Sequence, residues 1–242
     1  TYRPGRWFQE SDHAGWRLAV DRFHVDWVRD PTSPVAGQPT TFRSEVTVTP
    51  GDGGEPYQAT VEGNDPLVVE GMKIHQLDWG YALRVVVEVD GQVVHDGFVH
   101  SQTGEGDLGV YRSAVKAPAA EPDVGLALSM LPFAPPTEDG GIAITGAPWP
   151  DAPVLVFDVY RGDLQLGATQ QTINQLDVSQ LEQVGTSALR PGQQTEVEGV
   201  TVRFPELRYW VGFQVSTRPQ IPWLLFGSGL LIAGLIPALY AY

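Results

Sequence analysis

Leu83-Arg-Val-Val-Val-Glu-Val-Asp-Gly-Gln-Val-Val-His-Asp-Gly-Phe-Val99 decides the fold class. Two Val-rich runs flank Asp90-Gly91, the dipeptide that supplies the positive φ angles a two-residue primed turn requires. The stretch predicts a β-hairpin. Upstream, Trp16–Val28 alternates as a strand, with Leu18, Val20, Arg22 and His24 on one face. Ala19, Asp21, Phe23, Val25 and Trp27 take the other face. Thr40–Thr49 repeats the two-residue period through Phe42, Val46 and Val48, and Gly51-Asp-Gly-Gly54 then turns the chain. Downstream, strands are expected at Leu126–Leu131, Ile142–Thr145, Val154–Tyr160 and Val197–Phe204, with Tyr209–Val215 as the last one. One short helix is expected at Asp177–Val184, with Asp177 as its N-cap. The 27 glycines and 20 prolines favour strands and turns over long helices.

From Pro219 to Tyr242 no side chain carries a charge, and Ile221–Tyr242 is almost wholly apolar. At ~1.5 Å per helical residue this segment reaches ~30 Å, the thickness of a bilayer's hydrocarbon core. Trp223 stands near one end, and Tyr240 and Tyr242 near the other, where interfacial aromatics are expected. The segment reads as a membrane-spanning helix rather than a buried core helix. Gly227, Gly229, Ala233 and Gly234 are small residues of the kind that let membrane helices approach closely, and Pro237 sits where a kink is tolerated. The architecture expected is mainly β: a β-sandwich-like domain over residues 1–218, then one C-terminal transmembrane helix over 219–242. The Pro- and Gly-rich stretch 117–153 is either a boundary between two β subdomains or a set of long connections within one sandwich.

The 15 basic and 29 acidic side chains give a net charge of −14. Nucleic acid is not an expected partner, because phosphate binding needs clustered Lys and Arg. The absence of cysteine excludes disulfides, thiolate nucleophiles and Cys-based zinc sites. The start, Thr1-Tyr-Arg-Pro-Gly-Arg-Trp-Phe8, lacks an initiator Met and an apolar leader, and the chain reads as part of a longer membrane protein.

No catalytic constellation stands out. The histidines are His13, His24, His75, His95 and His100, without HExxH or His-x-x-x-His spacing, and no metal site is expected. His95 and His100 flank an expected turn at Asp96-Gly97 and read as a solvated pair. His75, with Met72 nearby, has residue types that ligate haem iron, or it is a half-exposed strand histidine with Met72 as filler. The turns Gly51-Asp-Gly-Gly54 and Gly104-Glu-Gly-Asp107 lack the ligand spacing of an EF-hand.

Asn64-Asp-Pro-Leu-Val-Val-Glu-Gly-Met-Lys-Ile-His-Gln-Leu-Asp-Trp-Gly80 resembles a run characteristic of the ResB family of cytochrome c biogenesis proteins. Asn64, Pro66, Leu67, Gly71, Gln76 and Gly80 match the family's pattern, and His75 stands where Tyr is usual. Leu18–Trp27 with Thr41–Val48 resembles the strands that open the family's domain. Gly199–Phe204, Tyr209–Val215 and the residues from Arg218 onward resemble its exit into the final membrane helix. The resemblance implies a component of a System II membrane complex with a ResC/CcsA-type partner. Such a complex moves haem across the cytoplasmic membrane and presents it to apocytochrome c. It implies the cytoplasmic membrane as location, with the β domain on the extracytoplasmic side, membrane lipid around the helix, and haem handled by the complex. It carries no catalytic or haem-ligand residue onto this chain, and no cofactor is assigned to it. An acidic surface would suit a basic apocytochrome. The alternative from another class is a membrane-tethered cell-surface β-sandwich hydrolase or binding domain.

Overall fold

A computed structural model describes residues 15–103, 109–166, 175–216 and 221–240. His13 and the Gly104–Asp107 turn lie outside the described residues. The first strands are β1 (Arg17–Trp27), β2 (Pro39–Thr49), β3 (Tyr57–Glu62), β4 (Leu67–Val69), β5 (Met72–Val89), β6 (Gln92–His100) and β7 (Gln102–Thr103). They are followed by β8 (Tyr111–Ala117), β9 (Val124–Leu131), β10 (Val154–Arg161), β11 (Glu182–Leu189), β12 (Gln193–Val197), β13 (Val200–Phe204) and β14 (Leu207–Ser216). The helix α1 (Ile221–Tyr240) closes the sequence of elements. The protein is mainly β.

Two compact units share these strands. Of the described residues, one holds those up to Arg22, Arg43–Leu77 and those from Phe213 on; the other holds those within Phe23–Phe42 and Asp78–Gly212. Strands β1, β2, β5 and β14 therefore each contribute to both. In the first unit, Val46 and Val48 of β2, Val61 of β3, Val69 of β4 and Ile74 of β5 form a small core, with Leu18 and Phe213 packed on it. The second unit is a sandwich. Its sheets are β11-β10-β9-β8-β7 and β12-β13-β5, with β6 on the other edge of β5. Tyr81, Leu83, Val85 and Val87 of β5 meet Leu126, Leu128, Leu155 and Phe157 of the opposite sheet in one large core.

The hairpin at Asp90-Gly91 forms as expected, with φ of 50° and 78°, and Val89 pairs with Gln92. The expected strand Val197–Phe204 is instead broken by a second turn of this kind at Glu198-Gly199, across which Val197 pairs with Val200.

Two further expectations fail. Residues 177–184 form no helix. The Asp177 carboxylate accepts the Ser179 N–H at 3.0 Å, and Leu181 N–H reaches the Val178 carbonyl at 3.1 Å. This local turn competes with helical bonding, and Glu182 onward enters β11 instead, where Glu182 pairs with Arg161. Ile142–Thr145 is not a strand either, since Ile142 makes only an isolated bridge to Pro136. The Thr145 hydroxyl donates to the Phe133 carbonyl at 2.6 Å and binds the segment as a loop.

The helix expected at the C-terminus is present as α1, 20 residues long. Among the described residues no helix is long and apolar enough to cross a membrane.

Phe157 is fully buried between the two sheets of the sandwich. Its replacement by Ala is expected to cost about 3–5 kcal/mol in urea or guanidinium unfolding. A loss below about 1 kcal/mol would mean that this side chain is not in the core.

Candidate functional site

The feature that stands out in the second unit is a cluster of aromatic rings built around the latter half of β5. Trp79 and Tyr81 lie two residues apart on one face of that strand, so they point the same way. Trp79 meets Phe23 and Trp27 of β1, each at a ring-centroid distance of 5.4 Å. Tyr209 of β14 lies 5.1 Å from both Phe23 and Tyr81, and Tyr111 of β8 meets Tyr81 edge-on at 4.7 Å. These separations and the prevalence of tilted and edge-on geometry suit the ring quadrupoles. The Tyr81 hydroxyl donates to the Pro148 carbonyl, which fixes the loop before β10 against the cluster.

Beside the cluster opens a cleft of about 370 Å³, lined by Tyr81, Tyr209, Leu207 and four prolines, together with Glu206 and Arg208. Proline has no N–H, so this wall offers hydrogen-bond acceptors and apolar surface but few donors. Burial pushes the Tyr81 phenol far above its ordinary value, with the Tyr209 and Tyr111 phenols adding to it. Burial, helped by Tyr209, pushes Tyr111 up to about 12. Tyr209 is raised too, mainly by burial. All three rings stay neutral at physiological pH. Nearby, Arg29 pairs with Asp151 at 2.5 Å while its guanidinium lies 5.1 Å over the Trp149 ring. The cluster therefore presents neutral apolar faces rather than a nucleophile or a general base.

The histidines are dispersed. His75 alternates with Ile74 and Gln76 on β5, whereas Met72 shares the side of those two buried residues. His75 and Met72 thus point to opposite faces and do not form a ligand pair. Asp96-Gly97 is not a turn: Asp96 pairs with Val86 and Gly97 with Val85 in mid-strand. His95 and His100, an odd and an even position on β6, consequently face opposite ways and are not a solvated pair. His95 is half-buried with its Nε2 enclosed, while exposed His100 stacks on Trp210 at 5.6 Å. His24 is half-buried on β1. Among the described residues no group of three or more His, Asp or Glu is placed to hold a metal ion.

On α1, ideal Cβ atoms built on Gly227 and Gly229 meet nothing within 4 Å, so both positions border open space. Ala233 is exposed on the same helix. Gly234 lies within α1.

Comparison with known proteins gives this arrangement a family. The sequence model of the ResB-like family matches residues 1–242. The chain belongs to the ResB-like family. Similar curated proteins include three named Cytochrome c biogenesis protein CcsB. That of Crocosphaera subtropica is 26% identical over 91% of this chain and 39% of the relative. That of Thermosynechococcus vestitus is 28% identical over 91% and 39%, and that of Microcystis aeruginosa 25% over 94% and 40%. The chain thus spans about two-fifths of the length of these relatives. No solved structure matches it.

The residues that match the family's run have structural work in this fold. Gly71, with φ of 80°, and Glu70, with φ of 48°, make the turn between β4 and β5. Leu67 packs on the small core. Gln76 is 4% exposed and accepts the Ser44 hydroxyl at 2.8 Å, while its amide nitrogen has no partner. Gly80 lies under the Trp210 indole: a Cβ there would stand 2.7 Å from Trp210 Nε1. That nitrogen donates to the Ser101 carbonyl at 3.4 Å, so the ring is held over β5.

The aromatic cluster was not anticipated as a unit, although one signal for it is visible in the sequence. Phe23 and Trp27 share a face of β1, and Trp79 and Tyr81 share one of β5. Their meeting depends on strand packing that a period of two does not contain.

Gly80→Ala is expected to destabilise the protein by about 1–3 kcal/mol through overpacking against Trp210. Tyr81→Phe keeps the ring but strips the Pro148 carbonyl of its donor, and a loss of about 1–2 kcal/mol is expected. Chemical unfolding gives both values, and near-UV circular dichroism should keep its aromatic signal in Tyr81→Phe.

Proposed function

We propose that this chain forms the β-rich extracytoplasmic part and last helix of a membrane-complex component for c-type cytochrome biogenesis. In this reading the complex carries haem across the cytoplasmic membrane and delivers it to apocytochrome c, and this chain acts as a non-catalytic subunit. The observation that carries the reading is the family match over residues 1–242, joined to relatives named as cytochrome c biogenesis proteins.

In this reading the whole uncharged segment, of which α1 is the described part, lies in the bilayer. No charged side chain occurs from Pro219 to Tyr242. Ser228 donates its hydroxyl to the Leu224 carbonyl at 2.8 Å, so its polar group is satisfied within the helix. In hydrocarbon an unpaired hydroxyl is costly, and this back-bond removes that cost. Trp223, Leu224, Leu225, Phe226, Leu230, Leu231 and Ile232 are 60–76% exposed. An apolar surrounding, lipid or partner helix, accounts for such a surface. Gly229 and Ala233, one helical turn apart, then form the side on which a helix of a ResC/CcsA-type protein packs.

Co-purification of the full-length protein with its membrane partner tests this. Gly229→Leu with Ala233→Leu is expected to lower partner recovery several-fold while the protein still resists alkaline extraction from membranes. Unchanged recovery would contradict the packing role, and loss of the protein from the membrane fraction would contradict the separation of anchoring from assembly.

A further inference from the structure

His95 lies half-buried beside the large core, with its Nε2 enclosed, a place that its chemistry does not suit. Val202 of β13, Val87 of β5 and His95 of β6 lie side by side across the sheet. Cross-strand partners share a face, and both valines are fully buried in the large core. The register between β5 and β6 shifts beside this row, since Val93 pairs with Glu88 while His95 pairs with Val87. Val94 is therefore an extra residue, the form of bulge that re-aims a neighbouring side chain. Gly97 lies on the same side of the strand: a Cβ there would be in ordinary contact with His95 Nε2, at 3.7 Å. That nitrogen is buried and has no hydrogen-bond partner.

We propose that His95 is an acid-sensitive latch that holds the Gln92–Gly97 arm of β6 on β5. Neutral, the imidazole packs as a flat, weakly polar ring over Gly97. Protonated, it carries a charge and an Nε2–H donor with no acceptor beside it, so the ring must leave for water and loosen the arm. The core-facing neighbours carry no charge. On β5 they are Val85, Val87 and Val89; on β8 they are Tyr111, Ser113, Val115 and Ala117, with Arg112 and Lys116 alternating to the other side. Asp96 is the nearest opposing charge, but it follows His95 on the strand and therefore points to the opposite face, where it pairs with Arg84 at 3.1 Å. Burial lowers the affinity of His95 for a proton more than Asp96 raises it.

The direction of the pH effect follows. The open arm takes up a proton at the ordinary histidine value of about 6.5, and the closed arm only at lower pH. The closed state is at full strength above about 6.5 and weakens as the pH falls from there to the closed-state value.

Amide hydrogen exchange along β6 in the full chain tests the latch, with the intrinsic pH dependence of exchange removed. Between pH 7.5 and 5, protection of the Val93–Val99 amides should fall about tenfold for each unit by which the closed-state value is depressed. In His95→Gln the fall should vanish. The His95 ring resonance of the unaltered chain should titrate below 6.5, a readout that requires no variant to fold. A ring titrating at or above 6.5, or the same pH-dependent loss in His95→Gln, would overturn the proposal.

Discussion

The register of β5 is the constraint on which the rest depends. This 18-residue strand, about 60 Å of extended chain, serves two cores with opposite parity. Ile74 and Gln76, at even positions, are buried in the first unit. Leu77 and Asp78 are both exposed, and from Trp79 the odd positions Tyr81, Leu83, Val85 and Val87 enter the large core. A slip of one residue would turn each set outward. Turns with positive φ at Gly71 and Gly91 stand at the two ends of the strand and fix its phase, the first against β4 and the second against β6.

The same register sets the aromatic cluster. Beyond the point of inversion, Trp79 and Tyr81 gather Phe23, Trp27, Tyr111 and Tyr209 around them, and Gly80 between them lets Trp210 settle on the opposite face. The phenols are neutral and four prolines line the neighbouring cleft, so the region offers apolar and planar surface. The chain belongs to a family whose relatives are named for cytochrome c biogenesis.

Much of the fold was legible in the chain. Alternation placed β1, β2, β9, β10 and β14, and Asp90-Gly91 placed the hairpin, because each signal is local and has one physical cause. Errors arose where a local hydrogen bond or a turn overrode the pattern. Asp177 looks like an N-cap, yet its carboxylate closes a turn on Ser179; Asp96-Gly97 looks like a turn, yet the ladder to Val86 and Val85 carries it straight through. The family resemblance was legible from Asn64 to Gly80, but the reason for its glycine was not, since Trp210 is far away in sequence. The aromatic cluster was the least legible feature because it joins four strands.

Covalent haem attachment in cells is the most direct measure of the central claim, that this chain serves c-type cytochrome biogenesis. In a strain lacking the full-length protein, haem staining of denatured membrane proteins should show the c-type cytochromes lost and restored by the intact gene. Undiminished haem-stained c-type cytochromes in the deletion strain would contradict the account.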